Sequence, residues 1–599
     1  MTAQESYRQW LESPALSGDE RAELLAIEKD PKEIEERFFA PLDFGTAGLR
    51  GVMQTGLRCM NRHIVRRTTQ ALAELVLKEG GAERGVAVCY DTRNNSGAFA
   101  REAACVLAAN GIAVRLFDGP RPTPELSFAI RRYGCLAGIN ITASHNPKQY
   151  NGYKVYWSDG AQLPPDHADA VAHERDRVSV FEGIRLITER EARDRGLLTV
   201  MGGETDESYL DAVFTQSLAD GETRRAARDM KIVYTPFHGC GRELVPRILR
   251  RAGFENIVCV EEQMTPDGDF PTVKSPNPED KEGFALAIEL AGRVQADLII
   301  GTDPDADRVG IMVRRGASEG EQPDARDGFV TLSGNQTGVL LLDYIIKARQ
   351  RNGTMPGKPA FVKTVVTTPM AAAVAEGAGI PWYDTFTGFK FLAEKIKELE
   401  ERGERFILAF EESYGFLAGD QARDKDAVVA SMLIAEMAAF YGAEGLTLYD
   451  ALEALYERYG YYREETVNLV MPGVDGLDRM KRLMRRLRGG GAPQAGTAPG
   501  GGEGGLPLSE IAGVQTAALT DYQVGTRRAR GGGAVTPVNP AGSDVLCYEM
   551  ADGTHYLIRP SGTEPKLKVY IMTRGADRDD GERRIAAYRG FTRDKLASV

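Results

Sequence analysis

The chain has 599 residues, 42% of them apolar and 27% charged, a composition typical of a folded globular protein. This length exceeds what a single hydrophobic core organises, so several domains are expected. The net charge of −12 argues against a nucleic-acid-binding function, because such proteins usually carry a basic surplus. Anionic substrates stay compatible with it, since a small basic pocket can lie within an acidic surface.

The seven cysteines are scattered, odd in number and without a C-x-x-C pair. They indicate small core residues in a reducing compartment rather than a disulfide framework. No apolar run approaches the ~18 residues that a membrane span requires, and residues 1–30 contain no apolar signal core. We therefore expect a cytoplasmic protein with no membrane partner.

The first 39 residues place apolar side chains at helical spacing, which predicts a helical preface. After Pro41 the pattern changes to strands alternating with helices, as in α/β domains. The first such section has predicted strands at 86–90, 113–117 and 136–141 and a predicted helix at 99–110.

The same pattern begins again twice along the chain. The predicted strands of these two sections lie at 231–235, 257–260, 298–300, 360–366, 382–386 and 405–410. Three sections thus share the order strand, polar turn, helix, strand, which predicts three similar α/β domains.

The last section has a different pattern of apolar and polar residues. A charged helix is predicted at 477–487, followed by a Gly-, Ala- and Pro-rich segment at 489–505 that is too poor in apolar mass to pack. We interpret this segment as a flexible surface insertion. Short strands of an α+β domain are predicted beyond it at 546–549, 556–558 and 567–572. The predicted domains are 1–205, 206–325, 326–455 and 456–599.

A polar turn, "TASHNP" at 142–147, follows directly on the predicted strand 136–141. A serine on such a turn has an exposed oxygen and a fixed backbone, and the N–H groups of the turn can converge on an anion. Ser144 is therefore a candidate nucleophile. An ordinary polar turn is the alternative reading of this segment.

A second motif, "GTDPDADRVG" at 301–310, places aspartates at alternating positions after an apolar run. Asp303, Asp305 and Asp307 can converge there on one hard cation, and Mg²⁺ is its natural occupant when water or phosphate completes the ligand set. Arg308 can pair with a phosphate. A solvated acidic turn is the alternative.

Two further loops carry polar groups after strands. "FEESYG" at 410–415 offers acceptors and donors for sugar hydroxyls, and "RPSGTEPKLK" at 559–568 forms a tight turn of donors suited to a phosphate monoester. Two glycine-bearing loops accompany them, "DFGTAGLRG" at 43–51 and "TFTGFKF" at 385–391. The combination points to phosphoryl transfer on a phosphorylated polyol, in a cleft between domains.

The motifs "TASHNP", "DPDADR", "EESYG" and "RPSGTEPK", in this order and at these separations, resemble the α-D-phosphohexomutase family of phosphoglucomutases and phosphomannomutases. The resemblance runs from about residue 43 to residue 572. The length, the helical preface and the residues of the loop motifs resemble those of the longer phosphoglucomutase-2-like branch. The resemblance implies an α/β fold with four domains around a central cleft: three similar domains with mixed sheets and a C-terminal α+β domain.

The resemblance also implies a role for each matching residue. Ser144 would carry a phosphoryl group and, through it, join Asp303, Asp305 and Asp307 in holding Mg²⁺. The residues implied at the reaction centre are Ser144, His145, Lys154, Arg50 and Lys390. Those implied in substrate binding are Arg308, Gly388, Glu411, Ser413, Arg559, Ser561, Gly562 and Thr563. His145 and Lys154 are both candidates for the general base.

The implied activity is that of an intramolecular phosphotransferase, which interconverts hexose 1-phosphate and hexose 6-phosphate through a bisphosphorylated sugar. Glucose 1,6-bisphosphate would be the activating intermediate, and the spelling "ESYG" favours glucose as the sugar. Phosphomannomutase, phosphopentomutase and glucose 1,6-bisphosphate synthase activities are the enzymatic alternatives, together with a metal-dependent phosphatase. A catalytically inactive sugar-phosphate sensor is the alternative from another class. The expected partners are small sugar phosphates, and the sequence does not indicate an oligomeric state.

Overall fold

The computed structural model describes residues 1–45, 48–315, 328–471, 475–489, 506–532, 535–561 and 566–596. The predicted insertion at 489–505, apart from its first residue, lies outside the described residues, and so do Gly562 and Thr563. The chain divides into two compact units. The first comprises Met1–Lys358 and Ala393–Tyr449, and the second comprises Pro359–Leu392 and Asp450–Val599.

The predicted helical preface is confirmed as three short helices: α1 (Ala3–Glu12), α2 (Gly18–Ala26) and α3 (Pro31–Phe38). Thr2 and Ser17 begin the first two with capping boxes, and the Asp30 carboxylate caps the third. The rings of Trp10 and Phe38 are buried and meet edge to face at a centroid distance of 5.8 Å. These apolar faces attach the preface to the core of the first unit.

The first α/β section confirms the strands predicted at 86–90, 113–117 and 136–141. Six described strands form one sheet in the order β1-β5-β4-β2-β3-β6, in which β4, β2, β3 and β6 are parallel. Strands β2 and β4 are buried throughout, as expected for central parallel strands covered on both faces. The elements are β1 (Gly48–Val52), α4 (Arg62–Lys78), β2 (Val86–Tyr90), α5 (Ser96–Ala109), β3 (Val114–Phe117), α6 (Thr123–Tyr133), β4 (Ala137–Ile141), β5 (Tyr150–Trp157), α7 (Pro165–Arg177), α8 (Glu189–Asp194), β6 (Leu198–Met201) and α9 (Gly203–Phe214).

The second α/β section has five described strands in the order β11-β10-β9-β7-β8. Strands β9, β7 and β8 are parallel, and β10 returns antiparallel to β9 directly after the aspartate motif. The elements are α10 (Gly221–Asp229), β7 (Lys231–Thr235), α11 (Gly241–Arg251), β8 (Asn256–Cys259), α12 (Glu261–Met264), a 3₁₀ turn (Lys281–Phe284), α13 (Ala285–Val294), β9 (Leu298–Thr302), β10 (Val309–Arg314), β11 (Phe329–Leu332) and α14 (Gly334–Asn352).

The third section supplies elements to both units. Strand β12 pairs in parallel with β13 in the second unit, and β14 pairs antiparallel with β15 in the first. No described helix is by itself long and apolar enough to cross a membrane; α17 and α18 meet the length and composition criteria only as a pair, bent by 82°. The elements are β12 (Pro359–Thr364), α15 (Pro369–Gly377), β13 (Trp382–Thr385), α16 (Phe389–Glu401), β14 (Arg405–Glu411), β15 (Gly415–Leu417), α17 (Ala427–Ala443) and α18 (Leu448–Tyr459).

The last section is an antiparallel sheet in the order β16-β23-β22-β21-β18-β19-β20, with β17 paired to β18. The predicted charged helix and the three predicted strands are confirmed as α19 and β21 to β23, but the ten-residue edge strand β16 was not predicted. Charged side chains on its solvent side interrupt the apolar pattern that identifies a strand. The elements are β16 (Tyr461–Val470), α19 (Gly476–Leu487), β17 (Glu510–Ile511), β18 (Val514–Asp521), β19 (Thr526–Ala529), β20 (Thr536–Pro537), β21 (Leu546–Met550), β22 (His555–Pro560), β23 (Lys566–Gly575) and α20 (Arg578–Asp594).

Candidate active site

Strand β4 ends at Ile141 and delivers Ser144 to the carboxyl edge of the first sheet, where α/β folds usually place their ligands. Ser144 is buried and adopts a positive φ of 50°, which is uncommon for a residue with a side chain. Its N–H donates to Thr142 Oγ1 over 2.8 Å, which helps hold this conformation. Backbone strain of this kind concentrates at functional sites, so the geometry agrees with the candidate nucleophile.

The hydroxyl of Ser144 reaches the second section of the same unit. Its Oγ donates to Asp303 Oδ2 over 2.7 Å and lies 3.2 Å from His145 Nδ1. The structure thus brings the serine motif into direct contact with the aspartate motif, as phosphoryl transfer beside a metal ion requires.

A buried arginine that the sequence analysis missed holds the loop carrying this serine. The Arg93 guanidinium, which is 3% exposed as a residue, lies between the loop and Asp91, with Nε 3.3 Å from Asp91 Oδ2. Its two Nη atoms donate to the backbone carbonyls of four loop residues: Ser144, Asn146, Pro147 and Tyr150. Arg93 is therefore a positioning residue for the loop. Its position after β2 was the available signal, since β2 is the neighbour of β4 in the sheet.

The three predicted metal ligands form one buried cluster. Asp303, Asp305 and Asp307 are each at most 1% exposed, and one oxygen from each lies within 4.8 Å of the others. The loop is held from within, because Asp303 Oδ1 accepts the N–H groups of Asp307 and Arg308 over 3.1 and 3.0 Å. Thr123 of α6 adds a hydroxyl hydrogen bond of 2.9 Å to Asp305 Oδ2.

Two lysines face these carboxylates. Lys154 Nζ lies 2.9 Å from Asp305 Oδ2 and 3.7 Å from Asp307 Oδ2, and Lys425 Nζ lies 3.2 Å from Asp307 Oδ2. Although burial disfavours their charged forms, the carboxylates raise the pKa of both lysines. Lys425 was not among the predicted residues, because nothing in "ARDKDA" distinguishes it from a surface lysine.

The two lysines do not fully compensate the negative charge of the three carboxylates. Burial, together with repulsion from Asp305 and Asp307, raises the pKa of Asp303 well above its usual range. Burial and the Asp305 charge also raise the pKa of Asp307. For Asp305, burial is outweighed by the Lys154 ammonium, and its pKa is lowered. A further cation would relieve the repulsion within this cluster.

The donor set fits a hard divalent cation. Asp305 Oδ1 and Asp307 Oδ1 are buried oxygens without a hydrogen-bond partner among the described residues. Buried polar atoms are normally satisfied, so unpaired oxygens inside a converging carboxylate cluster indicate a ligand. Oxygen ligands of this type, with room for water or phosphate, suit Mg²⁺.

The predicted sugar-reading loop is fastened to the same cluster. Arg308 and Gly415 form an isolated antiparallel bridge, and the Val309 N–H donates to the Tyr414 carbonyl over 3.1 Å. A side chain at Gly415 would collide with Lys425, because its Cβ would lie 2.3 Å from the Lys425 Cδ. Only glycine therefore allows the loop to approach this closely.

Four further predicted residues lie in the first unit around this cluster. Arg50, on β1, donates to Asn146 Oδ1 over 3.0 Å. Glu411 is buried at the end of β14 and Ser413 follows it in the loop. Partial burial, followed by the charges of Arg308 and Arg50, lowers the pKa of His145 to about 2, so its imidazole is neutral.

The other predicted residues belong to the second unit. Gly388 has a φ of 113° between β13 and α16, and Lys390 lies in the first turn of α16. Arg559 is on β22, opposite Lys568 of β23, and the Ser561 N–H donates to the Lys566 carbonyl over 2.9 Å. Gly562 and Thr563 lie outside the described residues.

Three models of one known protein family match the chain. Models of the α/β/α domains of phosphoglucomutase/phosphomannomutase match three stretches of the chain: domain I at 41–179, domain II at 207–316 and domain III at 333–459. These stretches cover more than half of the chain. It belongs to the phosphoglucomutase/phosphomannomutase family. The predicted family is thereby confirmed, while the phosphoglucomutase-2-like branch stays a prediction.

Relatives within this family match nearly the whole chain. A phosphoglucomutase of Staphylococcus haemolyticus (strain JCSC1435) is 34% identical over 537 residues, covering 90% of this chain and 91% of that protein. A phosphoglucomutase of Staphylococcus aureus (strain N315) is 34% identical over 567 residues, covering 93% and 94%.

Solved structures confirm the multidomain α/β fold. A putative phosphomannomutase from Thermus thermophilus has a TM-score of 0.65 at 22% identity, covering 92% of this chain and 99% of that one. The phosphoglucomutase parafusin of Paramecium has a TM-score of 0.65 at 17% identity, covering 93% and 96%. At these identities the likeness concerns the fold.

Proposed function

We propose that this phosphoglucomutase/phosphomannomutase family member is a phosphohexomutase that interconverts α-D-glucose 1-phosphate and glucose 6-phosphate. The observation that carries the proposal is the 2.7 Å hydrogen bond from Ser144 Oγ to Asp303, within a buried cluster of three carboxylates. It joins a nucleophile to a metal-binding cluster, which is the pairing that phosphoryl transfer uses. The similarity to relatives named phosphoglucomutase supports glucose as the principal sugar.

The proposed reaction begins with a phosphoryl group on Ser144 Oγ. The free hydroxyl of the hexose monophosphate attacks phosphorus, its proton passes to a base, and the bond from phosphorus to Ser144 Oγ breaks. The resulting glucose 1,6-bisphosphate turns around within the site and presents its other phosphate. Ser144 Oγ, protonated when its bond to phosphorus broke, then attacks that phosphorus and passes its proton to the base. The bond from phosphorus to the sugar oxygen breaks, that oxygen takes up a proton, and the isomeric monophosphate leaves.

Mg²⁺ is the proposed cofactor, held by Asp303, Asp305, Asp307 and an oxygen of phosphoserine 144. When bound, it supplies positive charge next to the phosphoryl group that is transferred. Arg50 and Arg308 add cationic side chains around the same group. Fixed charges in a buried site stabilise a transition state without reorganising, so these side chains contribute to the rate as well as to binding.

His145 and Lys154 are the two proposed candidates for the base. His145 is neutral and its Nδ1 lies 3.2 Å from Ser144 Oγ, so it can accept a proton. Lys154 is held protonated by Asp305 and Asp307, the groups proposed to hold the ion. To act as a base, Lys154 would need a lower pKa than these carboxylates give it.

Substrate recognition is proposed for residues of both units. Glu411 and Ser413 bind sugar hydroxyls, and Gly388 also belongs to the substrate-binding set. Lys390 lines the reaction centre. The phosphate that does not react is bound by the turn of Arg559, Ser561, Gly562 and Thr563. The glycine and hydroxyl-bearing composition of this turn supports the assignment, because it offers several donors to one anion.

We also propose that the chain has the four domains predicted at 1–205, 206–325, 326–455 and 456–599, and that it works in the cytoplasm. The family models support the first three divisions by where they match. The seven cysteines, all among the described residues, are free thiols, which supports a reducing compartment.

A panel of sugar phosphates tests the proposed specificity. With Mg²⁺ and a trace of glucose 1,6-bisphosphate, we expect glucose 1-phosphate to have a higher kcat/KM than mannose, N-acetylglucosamine or ribose 1-phosphate, measured by coupled assay. Preferential turnover of ribose 1-phosphate would identify a phosphopentomutase instead. Net release of inorganic phosphate would identify a phosphatase, and activity that requires an external phosphoryl donor would identify a bisphosphate synthase.

Replacing Arg93 by lysine should slow turnover while leaving substrate binding nearly intact. Lysine keeps the charge but lacks the forked donors that hold the serine loop, and misplacing a reacting group by about 1 Å costs up to roughly 100-fold in rate. We expect kcat to fall by about 10- to 100-fold with little change in KM.

The matched control for Arg93→Lys is Arg101→Lys on α5, an exposed position where the same exchange should leave kcat unchanged. Thermal midpoints of both variants report whether they fold. A folded Arg93→Lys enzyme with the kcat of the parent would remove Arg93 from its positioning role.

A further inference from the structure

A cavity lies within the first unit, lined by none of the residues of the serine loop or the carboxylate cluster. It has a volume of about 460 Å³ and is lined by α1, the end of α3, α4 and the chain that follows α7. Sites for small organic ligands typically enclose about 300–1,000 Å³. The cavity is therefore large enough for one such molecule, and no step of the proposed reaction uses it.

The cavity contains an arginine with unused donors. Arg67, on α4, is 8% exposed, and its Nε donates to the Val178 carbonyl over 2.8 Å. Its guanidinium makes no other hydrogen bond and no ion pair within the described part of the chain. The two Nη groups are thus available to a ligand that enters the cavity.

The surroundings of Arg67 do not neutralise it. Arg175 is also buried nearby, and burial followed by the Arg175 charge lowers the pKa of Arg67, an effect that the Asp176 charge opposes only in part. Asp176 is the one acidic side chain among the lining residues, all of which are described. Asp176 is largely exposed and lies 3.6 Å from Arg175, and no ion pair joins it to Arg67. An anion entering the cavity would therefore meet a net positive field.

Aromatic side chains also line the cavity. Trp10 packs edge to face against Phe181 at 5.0 Å and against Phe38 at 5.8 Å. Phe39, next to them, is 47% exposed. Aromatic rings beside a cationic donor are typical of sites that bind a molecule with an apolar body and a charged end.

We propose that this cavity is a binding site for a small organic anion that joins a phosphate or carboxylate group to a flat apolar body. The anionic group pairs with the two Nη groups of Arg67, which form a bidentate fork. The apolar body packs against Trp10 and Phe181. The ligand contacts both the N-terminal helices and the helices of the first α/β section, so its binding stabilises their association.

Calorimetric titration of the full chain with 1-naphthyl phosphate tests the site. The informative variant is Gln9→Glu, which adds a carboxylate to the cavity wall at an exposed position of α1. Its matched control is Gln4→Glu, the same exchange on the same helix at an exposed position that does not line the cavity. We expect Gln9→Glu to weaken binding at least tenfold, about 1.4 kcal/mol, while Gln4→Glu binds like the parent.

Further measurements separate the contribution of Arg67 from that of the aromatic side chains. Arg67→Met should also weaken binding at least tenfold, with its thermal midpoint checked to establish folding. Two parts of the probe, inorganic phosphate and 1-naphthol, should each bind at least tenfold more weakly than the whole. The thermal midpoint of the parent should rise with the concentration of 1-naphthyl phosphate.

Equal affinity of Gln9→Glu and Gln4→Glu for 1-naphthyl phosphate would overturn the proposal. It would mean that the probe binds elsewhere, for example at the catalytic site, which neither substitution changes. Tight binding of 1-naphthol would overturn the role of Arg67, and tight binding of inorganic phosphate would overturn that of the aromatic side chains. Absence of binding to the parent chain would remove the site altogether.

Discussion

The Ser144→Ala enzyme is expected to lose mutase activity by at least about 10⁴-fold, because the atom that carries the phosphoryl group is removed. The hydroxyl has no substitute in the described site: the neighbouring Thr142 uses its Oγ1 to accept the Ser144 N–H. The measurement is kcat for glucose 1-phosphate, combined with intact-mass analysis of protein incubated with glucose 1,6-bisphosphate. The parent should become heavier by one phosphoryl group and the variant should not.

The control for Ser144→Ala is Ser158→Ala, a partly exposed serine in the turn after β5. It should keep both the activity and the phosphoryl adduct. If Ser144→Ala turned over glucose 1-phosphate at the parent rate, or if the adduct mapped to another residue, the proposed mechanism would be wrong.

Removing the divalent cation, or one of the carboxylates proposed to hold it, should have the second largest effect. Chelation with EDTA should abolish activity, and Mg²⁺ should restore it. In Asp305→Asn one oxygen of the cluster is lost, and we expect kcat to fall by about 10²–10³-fold, the usual cost of one well-placed electrostatic group. Asp305 is the informative position because its Oδ1 has no hydrogen-bond partner among the described residues, while its Oδ2 is bound by Lys154 and Thr123.

The matched control for Asp305→Asn is Asp166→Asn, an exposed carboxylate in the first turn of α7. It should leave both activity and the Mg²⁺ concentration for half-maximal rate unchanged, whereas Asp305→Asn should raise that concentration. Full activity of exhaustively chelated protein, with metal content verified by elemental analysis, would contradict the assignment.

Buried charged side chains hold the serine loop and the carboxylate cluster in place. This explains why the losses of activity expected for Ser144→Ala and for removal of the cation should both be large. Lys154 and Lys425 contact the carboxylates, and Arg93 holds the loop that carries Ser144, the proposed nucleophile. Each of these groups is fixed by burial before the substrate arrives. Catalysis by such preorganised charges is sensitive to the loss of a single member, since water cannot take its place.

Much of the site could be predicted because its signals are local. Ser144 follows an apolar strand and precedes a proline, and the three aspartates alternate within five residues of one loop. The strand β2 is a run of buried apolar residues, which single-sequence patterning identifies readily. Such features depend only on neighbouring residues, so they can be recognised in the sequence without knowledge of tertiary contacts.

The residues that were missed are those whose role depends on distant contacts. Arg93 acts on carbonyls 51 to 57 positions further along the chain, and the one signal for it, its position after β2, has meaning only once β2 is known to lie beside β4. Lys425 is 118 residues from Asp307, yet their charged atoms lie 3.2 Å apart. The edge strand β16 was missed for a related reason, since its identity comes from pairing with β23 and not from its own apolar pattern.

The amino-acid sequence by itself determined the family and the α/β sections, and it predicted the serine proposed as the nucleophile and the aspartates proposed as metal ligands. Only the tertiary structure decided that Ser144, 159 residues from Asp303, donates a hydrogen bond to it. It also decided which lysines offset the buried carboxylates, and that the two Nη groups of Arg67 have no hydrogen-bond partner among the described residues. The physical reason is that side-chain chemistry is a property of each residue, whereas charge compensation and burial arise from contacts that only folding creates.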